Sequence, residues 1–301
     1  MRIALALGFY TFFLFQCAEN TSKNDFQHKT TFAALAKRES PTKTLSRNKQ
    51  CDSLVSFQTL TIAGHQVDIA LPKGKVKGNL LVLQGFAFPK DDWCKKSSLC
   101  KKALAQGYAL IMPEMGKSNY MSKFYPQTRP DWQKYPQKYW LTDSVFNFLQ
   151  KKYCMLLPEQ KNFIVGLSTG ARGVAIVALE KNTLFKAVAA LSGDYDQTKI
   201  PNDNVHIGYY GAYRLFSKRW KEEDNPIFEI KKWQTPIYIG HGKLDNVCPH
   251  QQSLLFYEAL QKNHPHLDVK LHIDPKHTHN YKYWDAEVDN ILDFFAKYLE
   301  E

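Results

Sequence analysis

The apolar run Asn162-Phe163-Ile164-Val165 passes without a break into Gly166-Leu167-Ser168-Thr169-Gly170, and a helical pattern covers Gly173 to Glu180. A short continuous apolar run suits a strand buried on both faces of a parallel sheet. A chain that leaves such a strand for a helix within five residues turns so sharply that Cβ atoms would clash, hence glycine at both ends. The same turn lifts a serine hydroxyl clear of the sheet, which is the geometry of a nucleophile elbow. This one segment restricts the chain to folds in which parallel strands alternate with helices.

The rest of the pattern agrees. Phe57–Ile62 and Gln66–Leu71 flank Ala63-Gly64-His65 and read as a hairpin. Further strands are expected at Leu80–Leu83, Tyr108–Met112, Ala187–Leu191, Pro236–Ile239 and Val269–Ile273. Helices are expected at Lys101–Gln106, Trp140–Tyr153, Ser253–Gln261 and in the last segment, where Trp284, Val288, Ile291, Leu292, Phe295 and Leu299 share a face. The class is α/β: a mostly parallel, doubly wound sheet of about eight strands with helices on both faces. Ligands of such sheets bind beyond the C-terminal strand ends, so the chemistry is expected there.

A serine hydroxyl needs a base, and the base needs an orienting acid. Asp245, in His241-Gly242-Lys243-Leu244-Asp245, follows the strand ending at Ile239 and is the candidate acid. Asp194 and Asp196 compete with it from the preceding strand end but read better as turn residues. The base belongs on the loop after Ile273, where His277 and His279 both stand. A tetrahedral intermediate also needs two amide donors, expected at the backbone N–H of Thr169 and of Phe86 in Gln84-Gly85-Phe86. No cofactor motif is read. His264-x-His266 and His277-x-His279 lack the carboxylates or cysteines that would complete a metal site.

The N-terminus carries a second message. Met1-Arg2, an apolar run from Ile3 to Phe15 and Gln16-Cys17 read as a signal peptide over 1–16. Leu14-Phe15-Gln16-Cys17 resembles a lipobox with Cys17 as the lipidated residue, although Gln16 stands where a small residue is usual. Residues 17–50 are polar and read as a flexible tether, with the catalytic domain over 51–301. Export to a bacterial cell envelope, periplasmic or surface, or outright secretion, is therefore expected, with the membrane met through the lipid. The formal net charge is +11, but the basic residues are scattered, so nucleic acid is not an expected partner. Six cysteines leave at least one unpaired if Cys17 is lipidated; Cys94 and Cys100 are close enough to pair, and the connectivity stays open.

From Phe57 to Leu299 the chain resembles the esterase D family, which includes formylglutathione hydrolases, feruloyl and siderophore esterases and mycolyltransferases. The residues that carry the likeness are Leu83-Gln84-Gly85-Phe86 with Asp92-Trp93, Met112-Pro113-Glu114-Met115-Gly116, the Gly166–Gly170 elbow, Leu191-Ser192-Gly193 and Asn225-Pro226. His279-Asn280-Tyr281-Lys282-Tyr283-Trp284 resembles the family's catalytic histidine followed by aromatics, which selects His279 over His277. The resemblance implies an α/β-hydrolase fold and a serine esterase using Ser168, Asp245 and His279. Gln84, Thr169 and Ala171 depart from the family's usual His, Met and Gly, so the ester itself does not carry over.

The expected substrate is a small-molecule ester with a short-chain or aromatic acyl group. Trp93, Tyr120, Arg172 and Tyr209 are expected at the pocket wall, and Lys117, Lys123 and Arg214 near it. An acyltransferase using the same residues, or a non-catalytic envelope lipoprotein, are the alternatives. The oligomeric state is open.

Overall fold

The structure is a computed structural model that describes residues 51–299. The expected signal peptide, the tether and Cys17 lie outside the described residues. Strand β1 (Phe57–Ile62) and β2 (His65–Ala70) form the expected hairpin, followed by β3 (Gly78–Leu83). Helices α1 (Asp92–Lys96) and α2 (Leu99–Ala105) lead to β4 (Tyr108–Pro113). A π-helical turn, Trp140–Val145, runs into α3 (Phe146–Lys152), and β5 (Asn162–Leu167) feeds α4 (Thr169–Glu180). Then come β6 (Ala187–Leu191), α5 (Asn204–Tyr210), α6 (Tyr213–Glu222), β7 (Ile237–Gly242), α7 (Gln251–Asn263) and β8 (Val269–Asp274). Helices α8 (Tyr281–Ala286) and α9 (Val288–Leu299) close the chain.

The sheet order is β1-β2-β4-β3-β5-β6-β7-β8. Only β2 runs against the rest: its pairings with β1 and β4 are antiparallel, and all the other pairings are parallel. Alternation along the strands divides the core in two. Leu81, Leu83, Ile164 and Val188 face α4 and α7 through Val174, Phe256 and Leu260. Leu80, Val82, Phe163 and Val165 face α2 and α9 through Leu99, Ala103, Ile291 and Phe295. Burial on both faces explains why these strands are apolar without a two-residue period.

Two expectations about elements are corrected, and one pair of helices was not expected. Helix α4 begins at Thr169, four residues before the expected Gly173, because its first turn is buried and ordered by packing rather than by helix propensity. The last helix is two, α8 and α9, meeting at Glu287. Between β6 and β7 the aromatic segment forms α5 and α6, which the sequence pattern did not reveal. Their apolar residues pack on a small separate cluster of Met121, Trp132, Tyr209, Tyr210 and Trp220.

Two disulfides lie in the described part, Cys51–Cys154 and Cys94–Cys100, and Cys248 is buried and free. Among the described residues, no helix is long and apolar enough to cross a membrane.

The β5–α4 turn requires its glycines. A Cβ on Gly166 would lie 2.3 Å from the Gly170 carbonyl oxygen, and one on Gly170 2.6 Å from the Leu83 and Gln84 carbonyl oxygens. All three obstacles are backbone and cannot step aside. Gly166→Ala is therefore expected to lower stability by about 3 kcal/mol, read from the urea midpoint; an unchanged midpoint would show that the turn has slack.

Candidate active site

Ser168 stands between β5 and α4 with φ 55° and ψ −126°, a left-handed conformation that a serine adopts only under constraint. The constraint is visible: its N–H donates to the Leu191 carbonyl, while its own carbonyl caps Ala171 and Arg172. The hydroxyl is thereby held at the C-terminal edge of the sheet.

Asp245 follows the end of β7, and His279 lies past β8 just before α8. His279 Nε2 is 2.9 Å from Ser168 Oγ, and His279 Nδ1 is 2.6 Å from Asp245 Oδ2. A carboxylate facing Nδ1 requires the proton there, which leaves the Nε2 lone pair to accept from the serine. The imidazole ring is also held edge-on to Trp284, with centroids 5.1 Å apart. His277, the other candidate base, is directed elsewhere: its Nδ1 lies 2.8 Å from Asp274 Oδ1 and its ring faces Tyr283.

The Asp245 side chain is fully buried. Burial pushes its carboxyl up, but hydrogen bonds from His241 and His279, the His279 charge and the Cys248 amide outweigh that. The group is held well below the usual carboxylate range and stays ionised. The Val247 and Cys248 N–H groups donate to Oδ1 at 2.9 and 2.8 Å.

Ser168 opens into a cavity of about 670 Å³, whose lining includes Phe86, Phe88, Asn119, Thr169, Val205 and Val247. Phe86 and Thr169 both border Ser168 there, and among the described residues neither backbone N–H has a hydrogen-bond acceptor. Two free donors beside a serine oxygen can stabilise an oxyanion.

Four residues expected at the pocket wall are placed elsewhere. Trp93 lies beneath the site, with Nε1 donating to the Leu83 carbonyl at 3.0 Å. Tyr120 is fully buried against Gly173, and the Tyr209 hydroxyl is spent on the Lys117 carbonyl and Gln137. Arg172 is fully buried and donates to Asp194 Oδ2 at 2.9 Å, to Gln197 and to the Asp224 carbonyl. It supplies no free charge. Lys117 and Lys123 pair with Asp131 and Glu223, and among the described residues Lys199 is the lysine that lines the cavity. The aromatics missed the wall for one reason: a large apolar ring is more stable packed in the core than facing water.

Asp194, the competing acid, is bound into this second network rather than to His279. Its Oδ2 accepts from Arg172 and lies 2.9 Å from His206 Nε2. Burial would raise its carboxyl, but the charges of His206 and Arg172 and their hydrogen bonds hold it well below the usual range. Asp196 caps a turn through Thr198. His206, Ser192 and Asn119 border the cavity and were not expected there from the sequence; their positions depend on segments brought together from the ends of β4 and β6. One potential ligand group, His272, Asp274 and Glu287, differs from the histidine pairs weighed in the sequence, and its atoms already bond to each other and to neighbours. Arg172→Met is expected to cost about 3–5 kcal/mol, because it strands the buried Asp194 carboxylate. A melting temperature unchanged from wild type would show that water or His206 can replace the guanidinium.

Comparisons with known proteins agree with this architecture. FphF, a fluorophosphonate-binding serine hydrolase of Staphylococcus aureus, superimposes with a TM-score of 0.61 at 19% identity, over 80% of this chain and 98% of that one. An S-formylglutathione hydrolase of Agrobacterium tumefaciens gives 0.62 at 16% identity, over 83% and 98%. An acylaminoacyl peptidase gives 0.60 at 16% identity, over 81% of this chain and 42% of that one. Identities this low establish the fold alone, which is the α/β-hydrolase fold. No curated protein sequence matches the chain. Residues 97–301, more than half of the chain, match the sequence profile of the prolyl oligopeptidase family. The chain is therefore similar in fold to esterases and peptidases alike, and it belongs to the prolyl oligopeptidase family of serine hydrolases.

Proposed function

We propose that this protein is a serine carboxylic-ester hydrolase that works through an acyl-enzyme on short-chain or aromatic acyl esters. The observation that carries the reading is the unbroken hydrogen-bonded line from Ser168 through His279 to Asp245 at the mouth of the cavity. His279 takes the serine proton as Oγ attacks the ester carbonyl, and returns it to the departing alcohol oxygen. The oxyanion is held by the N–H groups of Phe86 and Thr169, and Asp245 stabilises the imidazolium. Water, activated by the same histidine, then releases the acid. An alcohol in place of that water would make the same site an acyltransferase.

Cavity size supports the substrate class. About 670 Å³ is the volume of a pocket for a small molecule, and Phe86, Phe88, Ile200 and Val205 offer apolar wall to an acyl or aryl group. The family match favours peptide-bond cleavage as the competing reading. The two disulfides support export, since such bonds persist in oxidising compartments. The lipid anchor at Cys17 remains part of the proposal; palmitate labelling abolished by Cys17→Ser tests it.

A fluorophosphonate is expected to form a covalent adduct on Ser168 that Ser168→Ala abolishes. Hydrolysis of p-nitrophenyl butyrate is expected to fall on the order of ten-thousandfold in that variant, and wild-type turnover by it would refute the nucleophile. His279→Ala should match that loss while His277→Ala stays within about tenfold of wild type, since His277 faces Asp274. The opposite ranking would move the base. Across an acyl series, rates are expected to fall beyond about eight carbons. Steadily climbing rates would point to a lipase, and cleavage of prolyl peptides in preference to every ester would point to a peptidase.

A further inference from the structure

A second histidine stands on the carboxylate that holds the base. His241, the next-to-last residue of β7, is fully buried, and its Nε2 lies 2.9 Å from the Cys248 carbonyl oxygen and 3.2 Å from Asp245 Oδ2. Both neighbours are pure acceptors, so Nε2 carries a proton. Its Nδ1 lies 2.8 Å from Ser253 Oγ, at the first turn of α7, and accepts from that hydroxyl. The ring is therefore fixed at both ends, between a helix and a loop.

The loop it fixes is the one that carries Asp245. Residues Asp245 to Cys248 curl so that the Val247 and Cys248 N–H groups grip Oδ1, while Oδ2 is left for His279. His241 closes this turn, donating to the Cys248 carbonyl and lying 3.2 Å from Oδ2, the oxygen that also meets His279. Without His241 the only donor on Oδ2 would be His279, the ring to be oriented, and a further donor on that oxygen fixes the carboxylate independently of it. We propose that His241 is a positioning residue, which fixes the plane and orientation of the Asp245 carboxylate so that Oδ2 meets His279 Nδ1 in line. It touches neither substrate nor Ser168. This inference deepens the proposed esterase function and rests on that reading for its kinetic consequence, but the positioning itself exists in the resting protein.

The geometry of the side chains supplies the test. The amide nitrogen of a glutamine falls where His Nε2 stands, whereas that of an asparagine falls where Nδ1 stands. His241→Gln keeps the donor on the Cys248 carbonyl and Asp245; His241→Asn loses it. The first readout is the downfield proton resonance of His279 Nδ1–H in the full-length protein without substrate. It is expected in wild type and His241→Gln and lost to solvent exchange in His241→Asn. Ser253→Ala, which removes the hydroxyl that fixes the His241 ring, should broaden the same resonance and serves if His241→Asn does not fold. A resonance unchanged in His241→Asn, or in Ser253→Ala, overturns the proposal whatever the protein hydrolyses.

The second readout is kinetic, on p-nitrophenyl butyrate. His241→Asn is expected to lower kcat on the order of a hundredfold with KM within about threefold, and His241→Gln to restore most of kcat. A rise in KM with unchanged kcat would overturn the proposal, since it would mark a substrate contact. Loss of the resonance together with unaltered ester turnover would instead refute the esterase mechanism through His279.

Discussion

Everything at this site depends on how closely β5 and α4 approach each other at the serine. The turn between them brings Gly166 against the Gly170 carbonyl, and Gly170 against the backbone at the end of β3. That packing holds Ser168 at positive φ, a conformation costing about 1–3 kcal/mol that the buried first turns of α4 offset. The same contact joins the serine to the Leu83–Phe86 loop. The proposed nucleophile and the backbone N–H groups proposed to hold the oxyanion, those of Phe86 and Thr169, therefore belong to one closely packed junction.

Charge is managed by pairing two buried carboxylates with separate sets of donors. Asp245 is gripped by amides on one oxygen and by histidines on the other. Asp194 is paired with a fully buried Arg172 and hydrogen-bonded to His206. Each would be costly to bury alone, and each remains ionised because its donors outweigh desolvation. Arg172 is occupied by Asp194, Gln197 and the Asp224 carbonyl, while the partners of Asp245 are the Val247 and Cys248 amides, His279 and His241.

The segment between β6 and β7 shapes the cavity without a large inserted domain. Helices α5 and α6 pack on Trp132, Tyr209, Tyr210 and Trp220, and this apolar cluster supports the wall that carries Val205 and His206. This wall of the cavity is thus held in place by aromatic packing. Trp93 bonds the Leu83 carbonyl and meets Tyr281 edge-on at 6.0 Å, linking the Leu83–Phe86 loop to the helix that follows His279.

The succession of strands along the chain, the elbow and the candidates Ser168 and Asp245 were legible in the sequence, and the family resemblance selected His279 from two histidines. Short apolar runs, glycines at a forced turn and residues placed just past strand ends are local or topological signals, and they survive without knowledge of packing. The pocket wall was not legible. Whether Arg172, Trp93 and Tyr209 on their helices, or Tyr120 on its loop, face the cavity depends on which side of the element each occupies, and burial of large side chains in the core decided it. The helices α5 and α6 were missed because their apolar faces match only a cluster assembled from distant segments. His241 was written in the sequence beside Asp245, but only the β7–α7 packing turns its ring onto the carboxylate. Local chain geometry determined where chemistry could stand, and long-range packing decided which groups surround it.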